Sequence, residues 1–241
     1  MRDGSSEGSV LKVETVALNM AEREWDYARS HADQIDEHWL RSSAANPGYF
    51  NGVIHLIDRL EVRGQQIRAE LIKTDFKSFL FWRDAGFPTE AGVLDGFGSA
   101  LIRSREGHIL LGRQRAGNIN AGLSYLPGGF IDARDVGPNG AINIKASIAR
   151  EVFEETGLGE TDVETMPGFI VTQTGRQVSF AAAFQSPLAS HQLLSKIGSH
   201  LGKDPDSELE AMLVVRGAYD LQGLAMPPYA RVLLSQLFKA L

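Results

Sequence analysis

Three glutamates crowd one short stretch, Arg150-Glu151-Val152-Phe153-Glu154-Glu155-Thr156-Gly157-Leu158. On a helix that advances by about 100° per residue, Glu155 lies about 40° to one side of Glu151, and Glu154 about 60° to the other. The carboxylates therefore share one stripe, while Ile148, Ala149, Val152 and Phe153 fall on the flank built to bury. Like charges on a stripe repel one another unless a cation lies among them. Oxygen-only ligands suit a hard divalent ion, Mg²⁺ or alternatively Mn²⁺, bridging to substrate phosphates. Arg150, at the edge of the stripe, can hold one carboxylate in place. A glutamate pair on a helix is by itself an ordinary solvated face. The arginine, the closing glycine and the Leu126-Pro127-Gly128-Gly129 lead-in turn the reading toward a ligand site.

Composition removes other chemistries. The 241 residues, 43% hydrophobic and 22% charged, can bury a core as one large domain or two modest ones, and do not read as disordered. Lys plus Arg number 24 against 30 Asp plus Glu, a net charge of −6, which argues against nucleic acid as a partner. The chain has no Cys, so disulfides, thiolate zinc, iron–sulfur clusters and a Cys nucleophile are excluded. Its 6 His show no metal-ligand spacing. No run of apolar residues is long enough to span a membrane. Residues 1–9 lack the apolar core of a signal peptide and read as a mobile lead-in, which makes the cytoplasm the expected compartment.

The elements that must position these groups follow from periodicity. Residues 10–45 carry a helical rhythm through Ala21, Trp25, Ala28, Ile35, Trp39 and Leu40, stopped by the turn cluster Asn46-Pro47-Gly48-Tyr49-Phe50-Asn51-Gly52. Residues 53–60 and 65–73 read as paired strands, and 76–82 as a buried aromatic segment. The Gly/Pro-punctuated stretch 85–92 marks a boundary, giving an N-terminal extension over 10–90 and a second domain over 95–241. Within the second, strands are expected at 98–103, 108–113, 169–172 and 178–184. Helices are expected at 144–156, closed by Gly157, at 191–201 and at 228–241, and 209–215 reads as a strand or a helix end.

Gly129 followed by an acid and then Arg150-Glu151-Val152-Phe153-Glu154-Glu155-Thr156-Gly157-Leu158 resembles the Nudix box, GX₅EX₇REUXEEXGU with U aliphatic. The resemblance implies an α+β fold, an α/β/α sandwich around a mixed sheet, preceded here by a smaller N-terminal α+β domain. It implies a divalent-metal-dependent hydrolase of nucleoside diphosphates linked to another group, with a small-molecule substrate. Glu151, Glu154 and Glu155 would then hold metal together with the Gly129 carbonyl, and Arg150 would orient them. Asp135 stands where the pattern has Glu, and 14 residues rather than seven separate it from Arg150. A loop lengthens cheaply, so the helix ligands can keep their register. The turn at 46–52 and Thr74-Asp75-Phe76-Lys77-Ser78-Phe79-Leu80 are similar to segments of a UDP-glucose diphosphatase subgroup, tilting the substrate toward nucleotide sugars.

In such a site metal-activated water attacks one phosphorus in line. Glu154, Glu208 and Glu210 are candidate general bases, with Glu154, Arg150 and Asp135 as the catalytic set. Glu208 and Glu210 read equally as a solvated acidic turn. Arg113 and Arg115 could grip phosphate or be plain surface charges, and Asn51 is a further candidate substrate ligand. The competing reading is a non-catalytic nucleotide-sensing module. The aromatics of the N-terminal part suggest a homodimer.

Overall fold

The computed structural model describes residues 8–205 and 207–239. Most of the lead-in, residues 1–7, lies outside the described residues; Gly8 and Ser9 begin a strand. In chain order the elements are β1 (Gly8–Val13), β2 (Thr15–Met20), α1 (Asp26–Ser30), α2 (Ala32–Ala45), β3 (Val53–Arg63), β4 (Gln66–Asp75) and α3 (Phe76–Asp84). There follow β5 (Asp95–Arg103), β6 (Ile109–Gln114), β7 (Ser124–Tyr125), β8 (Ala141–Ile142), α4 (Ile144–Thr156) and β9 (Glu164–Thr165). The chain continues through β10 (Phe169–Thr174), β11 (Gln177–Gln185), α5 (Ser190–Leu201), β12 (Leu209–Val215) and α6 (Pro228–Lys239).

The larger sheet runs β1-β10-β11-β5-β6-β12, with β7 on β6 and β9 on β11. It is mixed, because β11 and β5 pair in parallel while their neighbours are antiparallel. Alternation along β5 and β6 divides the core. Ala100, Ile102 and Leu110 face Ile144 and Ile148 of α4 and Leu193 and Ile197 of α5. Leu101, Ile109 and Leu111 face Tyr229, Leu233 and Leu234 of α6. Helices thus cover both faces, the expected α/β/α sandwich of the α+β class. Among the described residues no helix is long and apolar enough to cross a membrane.

Residues 10–20 correct the sequence reading: they form strands, not helix. Val10, Val13, Thr15 and Val16 are β-branched and favour a pleated surface. Their partners are remote in sequence, with Val10 opposite Thr172 and Val16 opposite Ile67. The helical rhythm is real only from Asp26 onward.

A second sheet, β3-β4-β2-β8, is built mainly from the N-terminal part. Its last strand comes from the box insertion. After Asp135 the chain bridges Val136 to Ile142, turns tightly with Gly140 donating to Gly137, and lays Ile142 opposite Leu18. The extra residues are therefore a small hairpin that joins the box to the second sheet. β1 makes the reverse exchange, joining the larger sheet from the N-terminal side. Ile142 is buried. Ile142→Ala is expected to lower stability by about 2 kcal/mol, measured by urea unfolding; an unchanged midpoint would show the hairpin to be loosely attached.

The N-terminal aromatics turn mostly inward. Trp25 and Trp82 are buried with their indole N–H groups donating to the carbonyls of Ala91 and Pro88. Phe130, next to Gly129, packs its ring against Phe79 at 4.9 Å, so the box loop is anchored in the N-terminal cluster. Phe50 and Leu40 remain exposed.

Candidate active site

Helix α4 begins where the Asn143 side chain accepts from the Ala146 amide and ends where Gly157 adopts φ +69°. It lies close on the sheet because Gly98 of β5 has no side chain; a Cβ there would sit 2.6 Å from Ile148. The approach loop is locked to the same strand, with the Ala100 amide donating to Pro127 at 2.7 Å and the Gly98 amide to Gly129 at 3.1 Å. Gly128 has φ +151°, and a Cβ there would overlap the Gly98 carbonyl. A Cβ on Gly129 would come within 2.8 Å of a Glu151 oxygen, so that carboxylate rests directly on bare backbone.

Glu155 is buried and accepts from the Tyr125 hydroxyl at 2.7 Å and the Gly128 amide at 2.8 Å. Burial, with Glu208 and Glu151 nearby, still raises its pKa to about 8. Burial and then Glu154 raise Glu151 to about 7, against the pull of Arg150 and Arg134 at 3.6 and 3.7 Å. Glu208 reaches solvent, but it does so inside a concave mouth where desolvation, then Glu154, raises its pKa. Among the described residues neither Glu155 nor Glu208 has an ion-pair partner within 4.0 Å.

These carboxylates push one another toward the protonated state, and each is an oxygen donor. With Gly129 backbone against Glu151, the set fits a hard divalent cation in its chemistry. Among the described residues no three such side chains close on one point, so charge converges here without a finished coordination shell.

The structure gives the other candidates separate places. Glu154 is half-exposed, 3.2 Å from Arg134 and 3.8 Å from Arg150. Asp135 is buried, with one oxygen on Arg150 at 2.8 Å and the other on the Asp132 amide at 2.9 Å. It anchors Arg150 and caps the turn Ala133–Asp135. Arg113 pairs with Glu210 at 2.9 Å. Arg115 donates to the carbonyls of Pro205 and Leu209, while its amide donates to Glu208, so it clamps the loop that carries Glu208. Asn51 donates to Asp75 and accepts from the Lys77 amide at the start of α3. Arg113, Arg115 and Asn51 do not line the cleft beside the carboxylates.

That cleft has a volume of about 380 Å³ and runs from Gly128, Gly129 and Glu208 to Asp95 and Gln177. One wall comes from α3 and the loop after it, with Phe79, Arg83 and Phe87; the other comes from Phe97 and Tyr229. Sequence reading passed over Asp95, Phe97, Gln114 and Tyr229, because they come from β5, β6 and α6 and share no local pattern. Glu208 had a signal, an acidic turn, that only the fold separates from Glu210.

Residues 95–211 match the family model described as NUDIX domain. No curated protein matches the chain. Similar solved structures include the MutT protein of Methanosarcina mazei Go1, at 23% identity over 60% of this chain and 93% of that one, with a TM-score of 0.37. They include the Nudix hydrolase RenU of M. smegmatis, at 17% identity over 60% of this chain and 84% of that one, with a TM-score of 0.39. A bifunctional NMN adenylyltransferase/ADP-ribose pyrophosphatase of Francisella tularensis, complexed with AMP and a Mn ion, has 17% identity over 61% of this chain and 42% of that one, with a TM-score of 0.37. Residues 95–211 are a NUDIX domain, and the chain belongs to the Nudix superfamily of pyrophosphohydrolases.

Proposed function

We propose that this protein is a divalent-metal-dependent hydrolase that cleaves the diphosphate of a nucleotide sugar or related dinucleotide by water attack. The observation that carries the reading is the trio Glu151, Glu155 and Glu208, mutually destabilised and opening onto a cleft of nucleotide size. Glu151, Glu154, Glu155 and the Gly129 carbonyl would hold Mg²⁺, or Mn²⁺ in its place. When bound, the cation supplies charge neutralisation of the diphosphate and a more acidic water.

The chain's own residues do the rest. Asp135 fixes Arg150, which with Arg134 keeps Glu151 and Glu154 from splaying apart. Tyr125 and the Gly128 amide hold Glu155 in a single orientation. Glu210 is taken by Arg113, and Glu154 faces two guanidinium groups. Glu208 is left as the carboxylate best suited to take the proton from water, because its raised pKa makes it the stronger base.

Phosphate-coupled turnover on UDP-, ADP-, GDP- and CDP-sugars, NADH and dinucleoside polyphosphates tests this, each with Mg²⁺, Mn²⁺ or EDTA. Metal-dependent release from one class is expected. Glu208→Gln is expected to lower kcat by about 10²-fold with little change in KM. Silence across the panel, with a nucleotide still raising the melting temperature, would sink the hydrolase and leave a nucleotide-sensing module.

A further inference from the structure

We propose that the far end of the cleft seats the planar ring of an amino-bearing nucleobase, hydrogen-bonded to Asp95 and walled by Phe87 and Phe97. The proposal rests on the diphosphate reading only for where the phosphates lie.

Asp95 opens β5 and is 3% exposed, yet it lines the cleft. One of its oxygens accepts from the Gln177 side chain at 3.0 Å; the other has no hydrogen-bond partner. A buried carboxylate oxygen left unpaired is costly, so a donor arriving in the cleft is strongly favoured. Among the described residues no cation pairs with Asp95: the nearby Arg83 guanidinium donates to the Ile119 carbonyl at 2.8 Å. Burial raises the Asp95 pKa to about 6, which leaves it mainly an acceptor at neutral pH.

Strand alternation aims this acceptor. Asp95 and Phe97 point to the α6 side, where the Phe97 ring meets Tyr229 at 4.8 Å. Gly96 and Gly98 turn the other way, toward Ile57 and Ile148. Gly98 in turn holds Gly129 through its amide. Three strand residues from Asp95 to Gly98 span about 10 Å. A sugar fits between a ring at Asp95 and a diphosphate at Gly129.

Phe87 adds an independent sign. Among the described residues it is the only non-glycine with a left-handed φ, +57°. Its amide donates to Trp82 at 3.0 Å, and its ring stands edge-on to that indole at 4.7 Å. Backbone strain held in place by packing fixes the position of a side chain that faces a ligand.

The required ring is flat and shows a carboxylate an N–H edge. Adenine, cytosine and guanine carry amino groups. Uracil offers its one ring N–H between two carbonyl oxygens, which a carboxylate repels. The cleft therefore favours adenine, guanine or cytosine diphosphates over uridine ones.

Calorimetric titration of the full chain with AMP, GMP, CMP and UMP in Mg²⁺ decides it. At least one amino-bearing monophosphate is expected to bind about 10-fold or more tighter than UMP. Asp95→Asn, nearly isosteric, should shrink that gap to about threefold or less, because it replaces the charged acceptor with an amide. Phe87→Leu should weaken all four together. UMP binding as tightly as the best of the others, an unchanged ranking in a folded Asp95→Asn chain, or no binding at all would each overturn the proposal. If Asp95→Asn fails to fold, the wild-type ranking and Phe87→Leu still decide. None of these readings needs turnover, so a chain that seats the ring but cleaves nothing refutes the hydrolase reading alone.

Discussion

Glu155→Gln is expected to abolish turnover and at the same time to raise the melting temperature of the metal-free protein. The two effects share one cause. Glu155 is buried beside Glu151 and Glu208 with no cation to offset it, so ionising it opposes folding. Glutamine keeps an acceptor for the Gly128 amide, and the Tyr125 hydroxyl can rotate to receive its N–H. The negative charge is lost, and with it charge stabilisation of the reaction, about 10³-fold in kcat. The sign of the pH dependence follows from a pKa raised to about 8 in the folded chain, above the ordinary carboxylate value. Stability from the protonated form is complete below the unfolded pKa and is lost as pH rises through about 8. In EDTA the two proteins should melt together near pH 4.5 and separate above it, with the variant ahead by about 5 °C or more at pH 8. Parallel curves, or a variant that still turns over, would remove Glu155 from the site.

Gly128→Ala should be the most damaging single methyl group in the chain. Gly128 sits at φ +151°, and its Cβ would strike the Gly98 carbonyl and lie 2.9 Å from the Ser99 Cα. Those are backbone atoms of β5, a strand hydrogen-bonded to β11 on one side and β6 on the other, which cannot yield. The loss is expected to reach about 3 kcal/mol or more, read from chemical denaturation. Any folded fraction should also lose the amide bond to Glu155. Gly98→Ala is the control, because its Cβ meets the Ile148 side chain, which can shift. A Gly128→Ala protein as stable as wild type would refute the close crossing of the two strands.

Legibility along the chain follows the range of the forces involved. Helix α4 could be read to the residue, from 144 to 156 with Gly157 after it, since caps and a 3.6-residue period act within a few turns. The β3–β4 pair could be read for the same reason, its turn being local. β1 and β2 could not, because Thr172 and Ile67, which hold them in place, are far along the chain. The three box glutamates were legible as a stripe. That Asp135 holds Arg150, that Arg115 clamps the Glu208 loop, and that Asp95 faces a cleft are tertiary facts with no local trace.

The strand exchange also sets an order of events during synthesis. Gly8–Val13 is translated early, but it pairs with Phe169–Thr174 and with nothing nearer. At ordinary elongation rates the ribosome needs on the order of ten seconds to deliver that partner. Through that interval a Val-Leu-Lys-Val segment waits with an open edge, the condition that invites pairing with a neighbouring nascent chain. Closure of the large sheet is therefore a late, long-range step, and crowding on the ribosome rather than the final stability governs how much chain reaches it.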